Sequence, residues 1–205
     1  MKKVIWIVVV VLVVLFISGS CSAYNRMVTA EETVNTTWAD VEAQYQRRSD
    51  LIPNLVNTVK GYASHEQQVL TQVTAARARV GSLQVNQGTA LDEKQLEQYT
   101  AAQRQLSSAL SRLLVVSENY PQLKADGAFR DLQAQLEGTE NRIALARNRY
   151  IQSVQAYNTT VRSFPSNLTA LAFSLKPRPN FAVENERLLA TPPSVNFGQP
   201  ASSGH

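Results

Sequence analysis

Val34, Trp38, Val41, Tyr45, Arg48, Ile52, Leu55 and Val59 follow one another at alternating steps of four and three residues. Only an α-helix turns that spacing into one continuous face. The same period returns in Val69, Val73, Ala76 and Val80, and again in Leu96, Tyr99, Gln103, Leu106, Leu110 and Leu113. Its longest run is Phe129, Leu132, Leu136, Thr139, Ile143, Ala146, Tyr150, Val154, Tyr157 and Val161. Heptads kept this strictly favour helix crossings of about +20°. The expected fold class is therefore all-α, a near-parallel or antiparallel bundle of three to four long helices. Eight Gly and eight Pro in 205 residues are too few for a β-rich or disordered chain.

The punctuation between stripes sets the expected boundaries. Thr29 with Glu32 forms a capping-box pattern that predicts the start of the first bundle helix. Pro53 lies inside the stripe without shifting its phase, so a kinked but continuous helix is expected, at about 3 kcal/mol and with the Ser49 carbonyl freed. Ser64-His65-Glu66-Gln67 after Gly61 can start a second helix, yet the next stripe stays in phase through Tyr62, which leaves one long helix to Gly81 equally open. Gly81 to Leu91 reads as a loop, Asp92 opens the next helix, and Asn119-Tyr120-Pro121 ends it. A short helix at Ser166 to Phe173 precedes a Pro-containing extended tail over 174–205. That tail is either a loose terminus or a strap docking Phe181, Val195 and Phe197 on the bundle.

Ahead of the bundle, Val4 to Ile17 is an unbroken apolar run after Lys2 and Lys3. Its aliphatic and Phe residues supply roughly −4 to −8 kcal/mol of insertion free energy at about −0.3 to −0.6 kcal/mol each. With the small residues Ser18 to Ala23 the segment reaches the ~20 residues that cross a bilayer. The expected organisation is a short basic N-terminus at 1–3, a transmembrane or signal-anchor helix at 4–23, a bundle at 24–173, and the tail. The two lysines favour a cytoplasmic N-terminus and a C-terminal domain outside the cytoplasm. Cys21 after Gly19-Ser20 offers an alternative, a lipidated lipoprotein N-terminus, although Ser18 stands where such signals usually carry Leu. As the single cysteine, Cys21 cannot form an internal disulfide.

The inventory argues against most reaction classes. Only His65 and His205 are present, neither within a nucleophile or zinc motif, and no Gly-rich phosphate loop occurs. No catalytic, cofactor or metal residues are assigned. The formal charge of +4 falls to +2 without Lys2 and Lys3, and no run of five like charges appears, which speaks against nucleic acid as a partner. Glu137 and Glu140 beside Arg142 are compositionally able to act as a carboxylate pair, but a salt-linked helix face is the simpler reading.

The sharpest local feature is Arg47-Arg48-Ser49-Asp50 next to Pro53. Arg48 is the one charged member of its stripe and is expected to pair with Glu140 or Glu137 across the bundle, fixing register. Either Arg47 or Arg48 is placed to donate to the freed Ser49 carbonyl. Arg47, Arg48, Asp50, Pro53, Glu137 and Glu140 together are the candidate register or partner-contact site.

Several blocks resemble the LemA family: Tyr24-Asn25-Arg26-Met27-Val28, Tyr45 to Val56, Lys60 to Glu66, Glu118-Asn119-Tyr120-Pro121, Leu136 to Ile143, and Tyr157-Asn158 through Phe164-Pro165. The resemblance runs from about Tyr24 to Phe197. It implies a short N-terminal membrane segment followed by an all-α, up-and-down antiparallel four-helix bundle, and no catalytic residues. Ser49 replaces a usual Ala, while Ser174 and Asn180 replace a Gly and an aromatic near the tail. The functional expectation is a non-enzymatic, membrane-anchored scaffold of the bacterial envelope. It contacts lipid through 4–23 and an envelope protein partner through the bundle. The alternatives are an envelope hydrolase or transferase using Glu137 or Glu140, and a self-assembling homo-oligomer.

Overall fold

The computed structural model describes residues 2–63, 65–83 and 90–181. Six helices follow one another: α1 (Lys2–Tyr62), α2 (Gln67–Ser82), α3 (Glu93–Ser117), α4 (Pro121–Ala125), α5 (Gly127–Arg162) and α6 (Ser166–Ala172). Helices α1, α2, α3 and α5 form an up-and-down four-helix bundle, with no strand among the described residues. Helices α1 and α5 run antiparallel, tied by Thr37 Oγ1 to Ser153 Oγ at 2.7 Å, by Arg48 to Glu140, and by Tyr62 Oη donating to Asp126 at 2.8 Å. Helices α2 and α3 form the other close antiparallel pair.

Every member of the first stripe, from Val34 to Val59, is buried. In α3 the whole stripe is buried too, and α5 buries all of its stripe but Leu132. Helix α2 departs from the expected face. Leu70, Val73 and Val80 are its buried residues, while Val69 and Ala76 are only partly covered. Its buried face is thus set by Leu70 in place of Val69, against neighbours contributed by α1 and α3.

The expected helix start at Thr29 is not observed. Helix α1 runs from Lys2 without interruption, and Thr29 Oγ1 donates to the Asn25 carbonyl at 3.0 Å as an ordinary mid-helix threonine. Ser18 to Met27 contain no helix-breaking Pro, so nothing ends the apolar helix before the bundle helix begins. The expected boundary at 23/24 therefore falls inside one helix. Pro53 is accommodated within α1, as its phase requires.

The open question of one helix or two resolves into two. Helix α1 ends at Tyr62 and α2 begins at Gln67. Ser64 lies outside the described residues, and Glu66 at the N-cap makes no side-chain cap; its carboxylate instead accepts from Tyr120 Oη at 3.0 Å. The capping signal at Asp92 is realised, with Asp92 accepting from the Gln95 N–H at 2.8 Å and Gln95 accepting from the Asp92 N–H at 3.2 Å. Asp126 caps α5 by accepting from the Phe129 N–H at 2.8 Å. That bond and the Tyr62 hydroxyl hold the Asp126 carboxyl below the usual range.

Of the expected tail, residues 174–181 lie along the bundle, extended after the turn at Ser174, and Phe181 is buried. Val195 and Phe197 lie outside the described residues.

Candidate functional site

Arg48 sits in the middle of the core and is 1% exposed. Its Nη1 donates to Ser107 Oγ at 2.8 Å and to the Glu140 carboxylate, while Nη2 donates to the Gln103 side-chain oxygen. The Tyr45 ring lies 5.2 Å from the guanidinium. One side chain of α1 thus binds α3 and α5 at once. Glu140 is half exposed at 48%, so the ion pair reaches from the core to the surface. Arg48 Nε and Gln103 Nε2 are buried with no hydrogen-bond partner. Next to this node, burial pushes the Tyr99 phenol up to about 12, partly opposed by the neighbouring Gln103 side-chain amide.

The other members of the candidate site do not converge on Arg48. Arg47, Asp50 and Pro53 are exposed, and Asp50 accepts from Gln46 Nε2 at 2.8 Å. Glu137 is exposed and accepts from Gln133 at 3.1 Å, so Glu137 and Glu140 serve different partners. The freed Ser49 carbonyl accepts from Arg77 Nε of α2 at 3.0 Å, and not from Arg47 or Arg48. Arg48 is committed to the core, Arg47 faces outward, and α2 brings a third arginine alongside. No group of three His, Cys, Asp or Glu suited to a metal ion occurs among the described residues. Cys21 is free and exposed on α1.

A second polar locus lies where the extended segment 174–181 crosses α1 and α5. Asn158 and Arg178 clasp each other: Asn158 Nδ2 donates to the Arg178 carbonyl at 2.8 Å, and the Arg178 N–H donates to Asn158 Oδ1 at 2.7 Å. The Arg178 side chain pairs with Glu31 of α1. Tyr150 Oη donates to the Pro179 carbonyl and Tyr157 Oη to the Lys176 carbonyl, both at 3.2 Å. Phe181 then enters an aromatic group with Trp38 and Tyr150, its ring 4.6 Å from the Arg147 guanidinium. Burial pushes the Tyr150 phenol up to about 12.

Between this segment and the N-terminal half of α3 opens a cleft of about 920 Å³, lined by Glu93, Glu97, Arg104, Arg147, Lys176 and Phe181 among others. Its lining combines side chains of both charge signs with the aromatic residues Tyr157 and Phe181. Sequence reasoning missed Glu31, Tyr150, Tyr157, Asn158 and Arg178 as clasp residues. A signal was present in Tyr150 and Tyr157, whose hydroxyls sit in a core stripe and need acceptors there.

The sequence profile of the LemA family matches residues 37–197. Among curated relatives, magnetosome protein MamQ 1 of Paramagnetospirillum magneticum is 25% identical over 189 residues, covering 83% of this chain and 68% of the relative. Magnetosome protein MamQ of Magnetospirillum gryphiswaldense is 24% identical over 181 residues, covering 80% of this chain and 66% of the relative. Protein LemA of Metamycoplasma hominis is 19% identical over 151 residues, covering 74% of this chain and 65% of that protein. The matched stretch spans most of the chain and includes the Arg48 node, the segment 174–181, helices α2, α3 and α5, and α1 from residue 37 onward, so this chain belongs to the LemA family.

Proposed function

We propose that this protein is a non-enzymatic scaffold of the bacterial envelope, anchored in the cytoplasmic membrane through residues 4–23 with its bundle outside the cytoplasm. The observation that carries the reading is the continuity of α1. Its apolar N-terminal part is fully exposed and meets the requirements of a membrane span, and the same helix becomes the core of the bundle without a joint. A bilayer is the solvent that such a surface fits. The bundle part of α1 from Tyr24 to Tyr62 measures about 58 Å at 1.5 Å per residue, so the anchor carries a rod. Arg48 and the strap stiffen that rod, and the cleft beside α3 is the surface on which an envelope protein partner docks. Lys2 and Lys3 support the assigned sidedness.

The test is a photo-crosslinking amino acid placed at Glu97 in the cleft of the full chain in living cells, with Val115 on α3 as the control position. The expected result is a discrete adduct from Glu97, identified by mass spectrometry, that is missing from Val115. Adducts equal at both positions, or missing from both, would remove the cleft as a partner surface.

A further inference from the structure

We propose that α6 is a second membrane contact, with Phe164, Leu168, Leu171 and Phe173 entering the interfacial layer of the bilayer that α1 crosses. The inference rests on the anchoring proposed above and adds to it a fixed attitude of the bundle on the membrane.

The four side chains are unusual for the outside of a bundle. Phe164 and Leu171 are each 80% exposed, Phe173 56% and Leu168 49%. Leu168 and Leu171 lie one turn apart on α6, Phe164 and Phe173 flank the helix at its two ends, and α6 turns Thr169 and Ala170 inward. Beyond the apolar run, Val28, Tyr62, Val115 and Leu145 are also exposed, but they are scattered over α1, α3 and α5, with Val28 and Tyr62 far apart on α1. A cluster on one short element is a surface built for an apolar environment.

Its position identifies that environment. A span from Val4 to Ala23 is about 30 Å long, which matches the hydrocarbon thickness and ends it at Ala23. Tyr24 is the next residue, and its ring packs on Phe173 at 4.5 Å. Ala23 and Met27 are the first buried residues of α1, and α6 packs on that helix. Helix α6 therefore lies at the level where lipid tails give way to headgroups, the depth at which amphipathic helices and aromatic rings partition. Exposed Arg162 and Lys176 bracket the apolar residues along the chain, exposed Arg26 stands two residues past Tyr24 on α1, and all three complement anionic headgroups. One helix crossing a bilayer leaves its cargo free to rotate about the helix axis. A second contact removes that freedom and holds the cleft at a set height and facing.

The test uses the full chain in phosphatidylglycerol-containing nanodiscs with lipids brominated at shallow or deep acyl positions. The chain has two tryptophans, Trp6 in the apolar run and Trp38 buried in the core. In a Trp6→Phe background, Leu171→Trp and, separately, Phe164→Trp place a reporter on α6, and Val115→Trp supplies the control. The proposal expects the α6 reporters to be quenched several-fold more than Val115→Trp, and more by shallow than by deep bromines. The unmodified chain reads the anchor through Trp6 in the same discs. Quenched Trp6 with α6 reporters no more quenched than Val115→Trp, as when a protein partner or water covers α6, overturns this inference and leaves the anchor standing. Unquenched Trp6 overturns both.

Discussion

Arg48 shows how one charge can be both costly and specifying. Taking a guanidinium out of water is expensive, and its partner here keeps half its surface in water, so the attraction is screened on one side. The remaining compensation comes from Ser107 and Gln103, which turn the cation into a three-helix clasp. The two halves of the pair should therefore respond differently to removal. Glu140→Ala leaves a buried cation short of its counter-charge and is expected to cost about 2–3 kcal/mol, reduced from a fully buried pair by solvent screening. Arg48→Met fills the same space with apolar atoms, leaves Glu140 in water, and is expected to stay within about 1 kcal/mol of the parent. Denaturant titration of the full chain in bicelles, followed by circular dichroism, ranks the two; a larger loss for Arg48→Met would contradict the clasp. The sequence pattern exposed the arginine because it broke an apolar stripe, and it narrowed the partner to two acids one turn apart. Ser107 and Gln103 were invisible as ligands, since Ser107 lies outside the α3 stripe and a neutral Gln103 within it gives no signal of what faces it.

At the scale of elements, stripes and the Asp92 cap were readable, while the Asp126 cap and the joints were not. A heptad run states that a helix exists, but Thr29 with Glu32 carries the same letters whether it caps a helix or sits within one. Continuity from Lys2 depended on the absence of a breaker, which a capping pattern obscures. The buried face of α2 depended on neighbours contributed by α1 and α3. The C-terminus of α6 is where local chemistry and the family pattern meet. Leu175 N–H donates to the Ala170 carbonyl at 2.9 Å and Ser174 N–H to the Leu171 carbonyl at 3.2 Å, the two bonds of a Schellman cap. Its C′ residue is Ser174 at φ 56°, the left-handed conformation that glycine occupies without a Cβ penalty. The family resemblance places Gly at this position. Ser174→Gly removes a conformational cost of about 1–2 kcal/mol and adds back about 0.5–1 kcal/mol of unfolded-chain freedom. The expected net gain of about 0.5–1 kcal/mol raises the melting temperature by about 1–4 °C for a chain of this size. Differential scanning calorimetry checks it, and an unchanged or lower melting temperature would show that the serine hydroxyl contributes what the backbone loses.

For the whole molecule, the strap makes the bundle depend on the protonation of its tyrosines. Tyr150 and Tyr157 hold the extended segment by donating phenolic protons to backbone carbonyls, and Phe181 completes the core between Trp38 and Tyr150. Tyr99 stacks edge-on against both Trp38 and Tyr45 on the facing side. Burial raises Tyr99 and Tyr150 from the ordinary value of 10.0 to about 12, and raises Tyr157 as well. The linkage follows from the sign of these shifts. Below the unfolded value all these phenols are protonated in both states and their contribution is complete; as pH rises above it, the unfolded chain loses protons first and folding stability falls. Stability is therefore expected to be level through pH 9 on this account and to decline between about 10 and 12 as the folded phenols titrate. Tyr150→Phe should lower stability at neutral pH, because the Pro179 carbonyl loses a donor, and should make the alkaline decline shallower, because one titrating group is gone. Melting temperatures of parent and variant measured across that range, with tyrosinate absorbance recorded alongside, give the comparison. Parallel curves would mean that Tyr150 ionises only after the bundle has opened elsewhere, and would shift the alkaline weakness to Tyr99 and the α1–α3 contact.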